Sequence, residues 1–137
     1  MSSVKPSQRP ESRFATGDEA LKLATYTSDI LANENVFDPK FKTTIDEIAY
    51  EARMIYHLVR VANDIVVKER GSAEAQARLA RQKKALAICE DLRTDIMIAK
   101  GLFHLRARRI RYWNKLLKST EKMIKNWHNG DVARFGL

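Results

Sequence analysis

Ile45, Ile48, Ala52, Ile55, Val59, Ala62 and Val66 follow one another at spacings of 3, 4, 3, 4, 3 and 4. Apolar residues at this period share one side of an α-helix but would alternate irregularly between the faces of a strand. The seam therefore commits the stretch to a long amphipathic helix. "FDPK" sets its start. Asp38 can cap, and Pro39 suits the first helical position, where no N–H is needed. "RGS" sets its end, with Gly71 suited to a left-handed residue and Ser72 able to cap the next helix. The expected span is 39–69, roughly 45 Å of rise.

One such helix must bury its seam against others, and the rest of the chain supplies them. "TGDE" from Thr16 to Glu19 has the form of a capping box, and Ala20, Leu23, Thr27 and Ile30 follow at spacings of three and four. This predicts a first helix over 17–34. A third helix over 73–102 carries a broader seam of Leu79, Leu86, Ile88, Leu92, Ile96 and Ala99. A fourth starts near Arg106 and ends at "HNG", 128–130, with Ile110, Trp113, Leu117, Thr120, Ile124 and Trp127 as its seam. The turn between the third and fourth helices has neither a proline nor a clear glycine stop. The expected fold class is all-α, an antiparallel four-helix bundle over 16–130. A flexible basic arm at 1–15, with Lys5, Arg9 and Arg13, precedes it, and a short tail at 131–137 follows. Tyr50, Tyr56, Leu58, Leu86 and Phe103 lie outside a single narrow seam and point to burial against further copies of the chain, hence a homo-oligomer.

Charge is distributed unevenly. Residues 1–77 carry 10 basic and 12 acidic side chains, whereas residues 78–137 carry 15 and 5. Within the fourth helix Arg108, Arg111, Lys115, Lys118, Lys122 and Lys125 keep heptad spacing but fall on the side away from the seam. They span about 25 Å. Of the six only Lys125 has a Glu four residues before it, Glu121, so pairing within the helix could neutralise one of them at most. Such a row matches a phosphate backbone, whose charges repeat every ~3.4 Å along one strand of a duplex. Arg106 and Arg109 add charge at its start, and Arg78, Arg81, Lys83 and Lys84 add more from the third helix. The tryptophans belong to the seam, so stacking on bases is the minor expectation. No base-reading motif accompanies the row.

Catalytic and metal chemistry find no foothold in the pattern. Di-iron bundles use Glu-x-x-His, but the residues three before His57, His104 and His128 are Met54, Gly101 and Lys125. Asp91 with Asp95, and Glu47 with Glu51, are i,i+4 pairs that neighbouring Arg or Lys would ordinarily balance, here Arg93 or the fourth helix. The lone Cys89 reads as a core residue. No glycine-rich phosphate loop occurs. The expectation is a non-enzymatic protein without metal or cofactor. With no apolar leader and no run of roughly eighteen apolar residues, it is expected in the cytoplasm and off the membrane.

"RRIRYWNKLLKSTEKMIKNWHNGD", Arg108 to Asp131, following a long second helix with "RVAND", Arg60 to Asp64, resembles the accessory variability determinants. These are small basic four-helix proteins encoded beside the reverse transcriptase of diversity-generating retroelements. They are similar to the four-helix proteins of 23S rRNA intervening sequences. The resemblance spans about residues 16–131, through helix order, basic character and the Arg-Ile-x-Tyr-Trp and Asn-Trp stretches. It implies a non-catalytic partner that binds a reverse transcriptase and its template RNA during mutagenic cDNA synthesis. It further implies a closed ring of about five subunits. The cations carried over are Arg108, Arg109, Arg111, Lys115 and Lys118. "ERGSAEAQ" after the second helix has no counterpart in it. The residues alone leave a second reading open, a helical interaction module whose charge serves solubility.

Overall fold

The computed structural model describes residues 14–137. Nearly all of the arm expected at 1–15 thus lies outside the described residues. Four helices follow: α1 (Ala15–Leu31), α2 (Lys42–Asp64), α3 (Ala73–Leu102) and α4 (Ala107–Phe135), with a 3-10 turn at Pro39–Phe41 before α2. Each packs on the next, and α4 closes back on α1. Neighbours run antiparallel. Thr27 of α1 meets Trp113 of α4 while Glu19 meets Thr120. Arg78 of α3 meets Asp131 of α4 while Arg93 meets Glu121. This is the antiparallel four-helix bundle the heptads require.

Three seams hold. Ala20, Leu23, Thr27 and Ile30 of α1 are buried, as are Ile48, Ala52, Ile55, Val59 and Ala62 of α2 and Ile110, Trp113, Leu117, Thr120 and Ile124 of α4. Trp113 is fully buried, and its indole Nε1 donates to Thr27 Oγ1 at 2.9 Å. A polar seam residue thereby satisfies the one polar atom of the largest core ring. Phe37, from the α1–α2 connection, sits between Trp113 and Phe103, with ring centroids 6.3 and 5.0 Å away. Leu58 and Phe103 also lie inside this core, and Tyr56 and Leu86 pack against it. Of the five side chains expected to need a second copy, only Tyr50 remains exposed.

Helix ends depart from expectation for identifiable reasons. α1 begins before the capping box, so Thr16 is a buried seam residue and not a cap. Phe14 takes the N-cap position and packs edge-on against Trp127, ring centroids 5.0 Å apart. α2 stops at Asp64, five residues short of the expected end, and Val66 is 71% exposed. Ile65, Val66 and Val67 are β-branched and weak helix formers. The Ile65 carbonyl, which a continuing helix would bond to residue 69, instead accepts from Arg78 Nη1 at 3.1 Å. Gly71 has φ +72°, and Ser72 Oγ accepts from the Ala75 N–H at 3.1 Å, both in the roles expected of them. At the turn without a glycine, His104 takes the left-handed conformation (φ 52°) and Leu105 N–H bonds the Lys100 carbonyl, closing α3 in a Schellman-type turn. α4 runs through Gly130 to Phe135, so most of 131–137 is helix and not a tail.

The largest correction concerns α3. Its buried residues are Ala75, Gln82, Ala85, Cys89, Leu92, Ile96 and Ala99, while Leu79, Leu86 and Ile88 are only partly buried. With Arg78 these form a strict heptad of small and polar residues in the first half and aliphatic ones in the second. Asp131 extends the α4 seam by one further step of four. Where the two polar stretches meet, Asp131 Oδ2 accepts from Arg78 Nε at 2.6 Å and from Gln82 Nε2 at 2.7 Å.

Candidate nucleic-acid interface

Burying Ile110, Trp113, Leu117, Thr120 and Ile124 turns the opposite side of α4 outward. Arg108, Arg111, Lys115, Lys118, Lys122 and Lys125 are all exposed there. No carboxylate pairs with any of them among the described residues. The one acidic residue on this stretch of helix, Glu121, is engaged by Arg93 of α3. Arg109 turns the other way, towards α1. It lies beside Tyr26, whose ring meets Tyr112 edge-on at 4.8 Å. Burial raises the Tyr26 hydroxyl above its usual range against the opposing pull of Arg109.

The cations of α3 do not form one group with this row. Arg78 is inside the bundle, with 14% of its side chain exposed. It is ion-paired to Asp131 and placed over the Trp127 and Phe135 rings at 5.3 and 5.7 Å. It is a structural residue, and its assignment to the nucleic-acid face is corrected. Arg81 and Lys84 line a separate groove with Met54, His57, Leu58 and Val61 of α2. Only Lys83 joins the α4 row. With Lys118, Lys122, Lys125, Leu86 and His128 it lines an open groove of about 700 Å³ between α3 and α4. The groove also meets Glu90, Glu121 and Asn129, so its four lysines outnumber its two carboxylates. The arrangement can hold a chain of phosphates along α4 and admit a smaller group into the groove at its C-terminal half.

His128, set aside by the spacing test for metal ligands, is the functional candidate that sequence reasoning missed. Its Nδ1 lies 2.7 Å from Gln82 Oε1. Burial, and then the Lys83 charge, lower its pKa below the ordinary imidazole range, against Asp131. The clue available in the sequence is that Gln82 and Asp131 both fall on heptad positions, which brings polar groups to bear on His128 from within the core.

The acidic pairs meet each other and are not balanced by Arg93 or α4. Carboxylate oxygens of Glu47, Glu51 and Asp95 lie within 4.8 Å of one another across the α2–α3 face. One Glu51 oxygen is buried without a partner among the described residues. Burial, the Asp95 hydrogen bond and the charges of Asp95, Asp91 and Glu47 push the Glu51 carboxyl up to about 8. Cys89 is fully buried, and burial pushes its thiol up to about 12, so it lacks the character of a nucleophile. No helix among the described residues is long and apolar enough to cross a membrane. No protein-family model, curated protein or solved structure matches the chain.

Proposed function

We propose that this protein binds structured RNA, and DNA less selectively, through the outer face of α4. In this reading it acts as a non-catalytic, cytoplasmic accessory subunit of a reverse transcriptase, in the manner of the accessory variability determinants that Arg108 to Asp131 resembles. The observation that carries the reading is the row of six exposed cations without carboxylate partners. A solvated face built for solubility would mix signs, whereas this one holds a single sign over about 25 Å. Self-association belongs to the same reading. Tyr50, Met97 and Ile98 are 55%, 59% and 53% exposed and leave apolar surface on α2 and α3 for neighbouring subunits, a ring of about five in the resembled family. That exposure also favours the second reading, an assembly module that does not touch nucleic acid.

The test is a salt titration of RNA binding by the native protein and by a Lys115→Gln, Lys118→Gln, Lys122→Gln variant. These residues touch no core group, so the fold should be retained. If each contacts a phosphate, the slope of log affinity against log salt should fall by about 2–3 in total, at roughly 0.7–0.9 per contact. Equal affinity of the two folded proteins near 0.15 M salt, about physiological ionic strength, would reduce the row to a solvated face. Co-purification with a diversity-generating-retroelement reverse transcriptase, with and without ribonuclease, then tests the partner.

A further inference from the structure

We infer that His128 makes the α3–α4 groove selective for RNA over DNA by accepting a hydrogen bond from a ribose 2′-hydroxyl. The inference rests on the nucleic-acid reading of α4 and deepens it. Its basis is a chain of hydrogen bonds with only one consistent direction. The Asp131 carboxylate, paired with the Arg78 guanidinium at 2.6 Å, can only accept. Gln82 must therefore turn its NH2 towards Asp131, 2.7 Å away, and its carbonyl towards His128. That carbonyl also can only accept, so the His128 Nδ1 2.7 Å from it must carry the proton. In the neutral ring the remaining lone pair is on Nε2. Nε2 takes no hydrogen bond among the described residues, and the ring lines the groove.

An acceptor of fixed sense is unusual in this setting. Lys83, Lys118, Lys122 and Lys125 can only donate, and they serve phosphates of RNA and DNA alike. Glu121 is held by Arg93, and Glu90 carries a charge that repels a phosphodiester. The Asn129 side chain is exposed and can present either end of its amide. His128 is the neutral acceptor whose direction the core dictates. RNA differs from DNA at each nucleotide by one hydroxyl, which can donate to such an atom.

The experiment uses the full chain and three labelled oligouridylates of one length, with ribose, 2′-fluoro-ribose or 2′-deoxyribose sugars, read by fluorescence anisotropy. The 2′-fluoro sugar keeps the ribose-like pucker and lacks the donor. The native protein should bind the ribose form about fivefold more tightly than the 2′-fluoro form, the worth of one ordinary hydrogen bond. His128→Phe keeps a flat ring without an acceptor and should lose that preference, binding the ribose and 2′-fluoro forms alike. His128→Leu is the second variant, with the same expectation, should the first fail to fold. Equal binding of ribose and 2′-fluoro forms by the native protein overturns the inference and leaves phosphate binding by α4 standing. So does an undiminished preference in a folded His128 variant. Failure of all three oligonucleotides to bind removes the α4 reading and this inference with it.

Discussion

Replacing Arg78 with Gln separates a structural cation from a binding one. The guanidinium makes three kinds of contact at the end of the bundle. It donates from Nε to Asp131 at 2.6 Å and from Nη1 to the Ile65 carbonyl at 3.1 Å, and it lies over the rings of Trp127 and Phe135. The paired side chains are 14% and 4% exposed, so water screens the pair poorly. Removing one member of a buried pair costs about 3–5 kcal/mol, chiefly because the other charge stays buried. Loss of the bond to Ile65 would add ~1 kcal/mol and the ring contacts ~0.5–1 kcal/mol each if they were independent. They all end on one guanidinium, so they are not independent, and the expected total stays near 3–5 kcal/mol. Against the ~5–15 kcal/mol typical of a whole domain, that is a large share.

Urea unfolding followed by circular dichroism should show a lower midpoint at unchanged slope. Arg78→Met combined with Asp131→Leu removes both charges and should recover most of the loss, since a well-packed apolar pair often matches a buried ion pair. RNA affinity of the folded Arg78→Gln protein should equal that of the native one. A stability loss below ~1 kcal/mol would refute the reasoning, because Asp131 would then be reaching water that the structure denies it. A variant of native stability with weakened RNA binding would refute it from the other side and return Arg78 to the interface.

Glu51→Gln should flatten the pH dependence of stability. The Glu51 carboxyl titrates at about 8 in the folded state, against an ordinary 4.5. Between those values the folded state holds a proton that the unfolded chain has lost, so stability is full below about 4.5 and falls as pH rises through about 8. Solvent screening at this partly exposed site discounts the loss to on the order of 1–2 kcal/mol. Urea midpoints at acid and alkaline pH should diverge in the native protein by that much more than in the variant, and equal divergence would show Glu51 ionising normally. Gly130→Ala should raise stability by about 0.5–1 kcal/mol, because Gly130 lies inside α4 and nothing stands within 4 Å of the position a methyl group would take. A thermal melt unchanged or lowered would mean that α4 ends before Gly130.

The parts of the fold written in large aliphatic residues are legible in the sequence. α1, α2 and α4 announce their inward faces through Leu23, Ile55 or Ile124, and the outward face of α4 follows as the complement of its seam. The first half of α3 is hidden because its inward positions hold Ala75, Arg78, Gln82 and Ala85, which by hydropathy look like surface. Leu79 and Leu86 draw the eye to the wrong phase. Counting in sevens backward from Leu92 and Ile96 would recover the true seam, at the cost of placing an Arg and a Gln inside it. That placement is credible only once Asp131, 53 residues on from Arg78, is known to lie opposite. Gly130 hides the same fact from the other end, since a glycine after "HN" reads as a stop, yet the helix continues to bury Asp131. The meeting of Glu51 with Asp95 is likewise a matter of register between helices, which no single helix encodes.

A buried ionic cluster is a poor way to hold two helices together when an apolar pair can pack as well. What an apolar pair at positions 78 and 131 could not do is hold Gln82 in one orientation. A side-chain amide between two hydrocarbon groups has no reason to prefer either sense. Between a carboxylate that only accepts and an imidazole it has one, and the choice passes along the chain to His128. The network therefore acts in two ways. In packing it fixes the register of α3 against α4, because Arg78, Gln82 and Asp131 meet only when the two seams are aligned. In chemistry it carries a direction, set by one ion pair inside the bundle, out to a ring nitrogen in a groove lined by lysines. Stability of the Arg78→Met, Asp131→Leu protein together with its RNA-to-DNA preference separates the two. Packing alone needs only the first to survive, whereas the directional role requires that the second be lost.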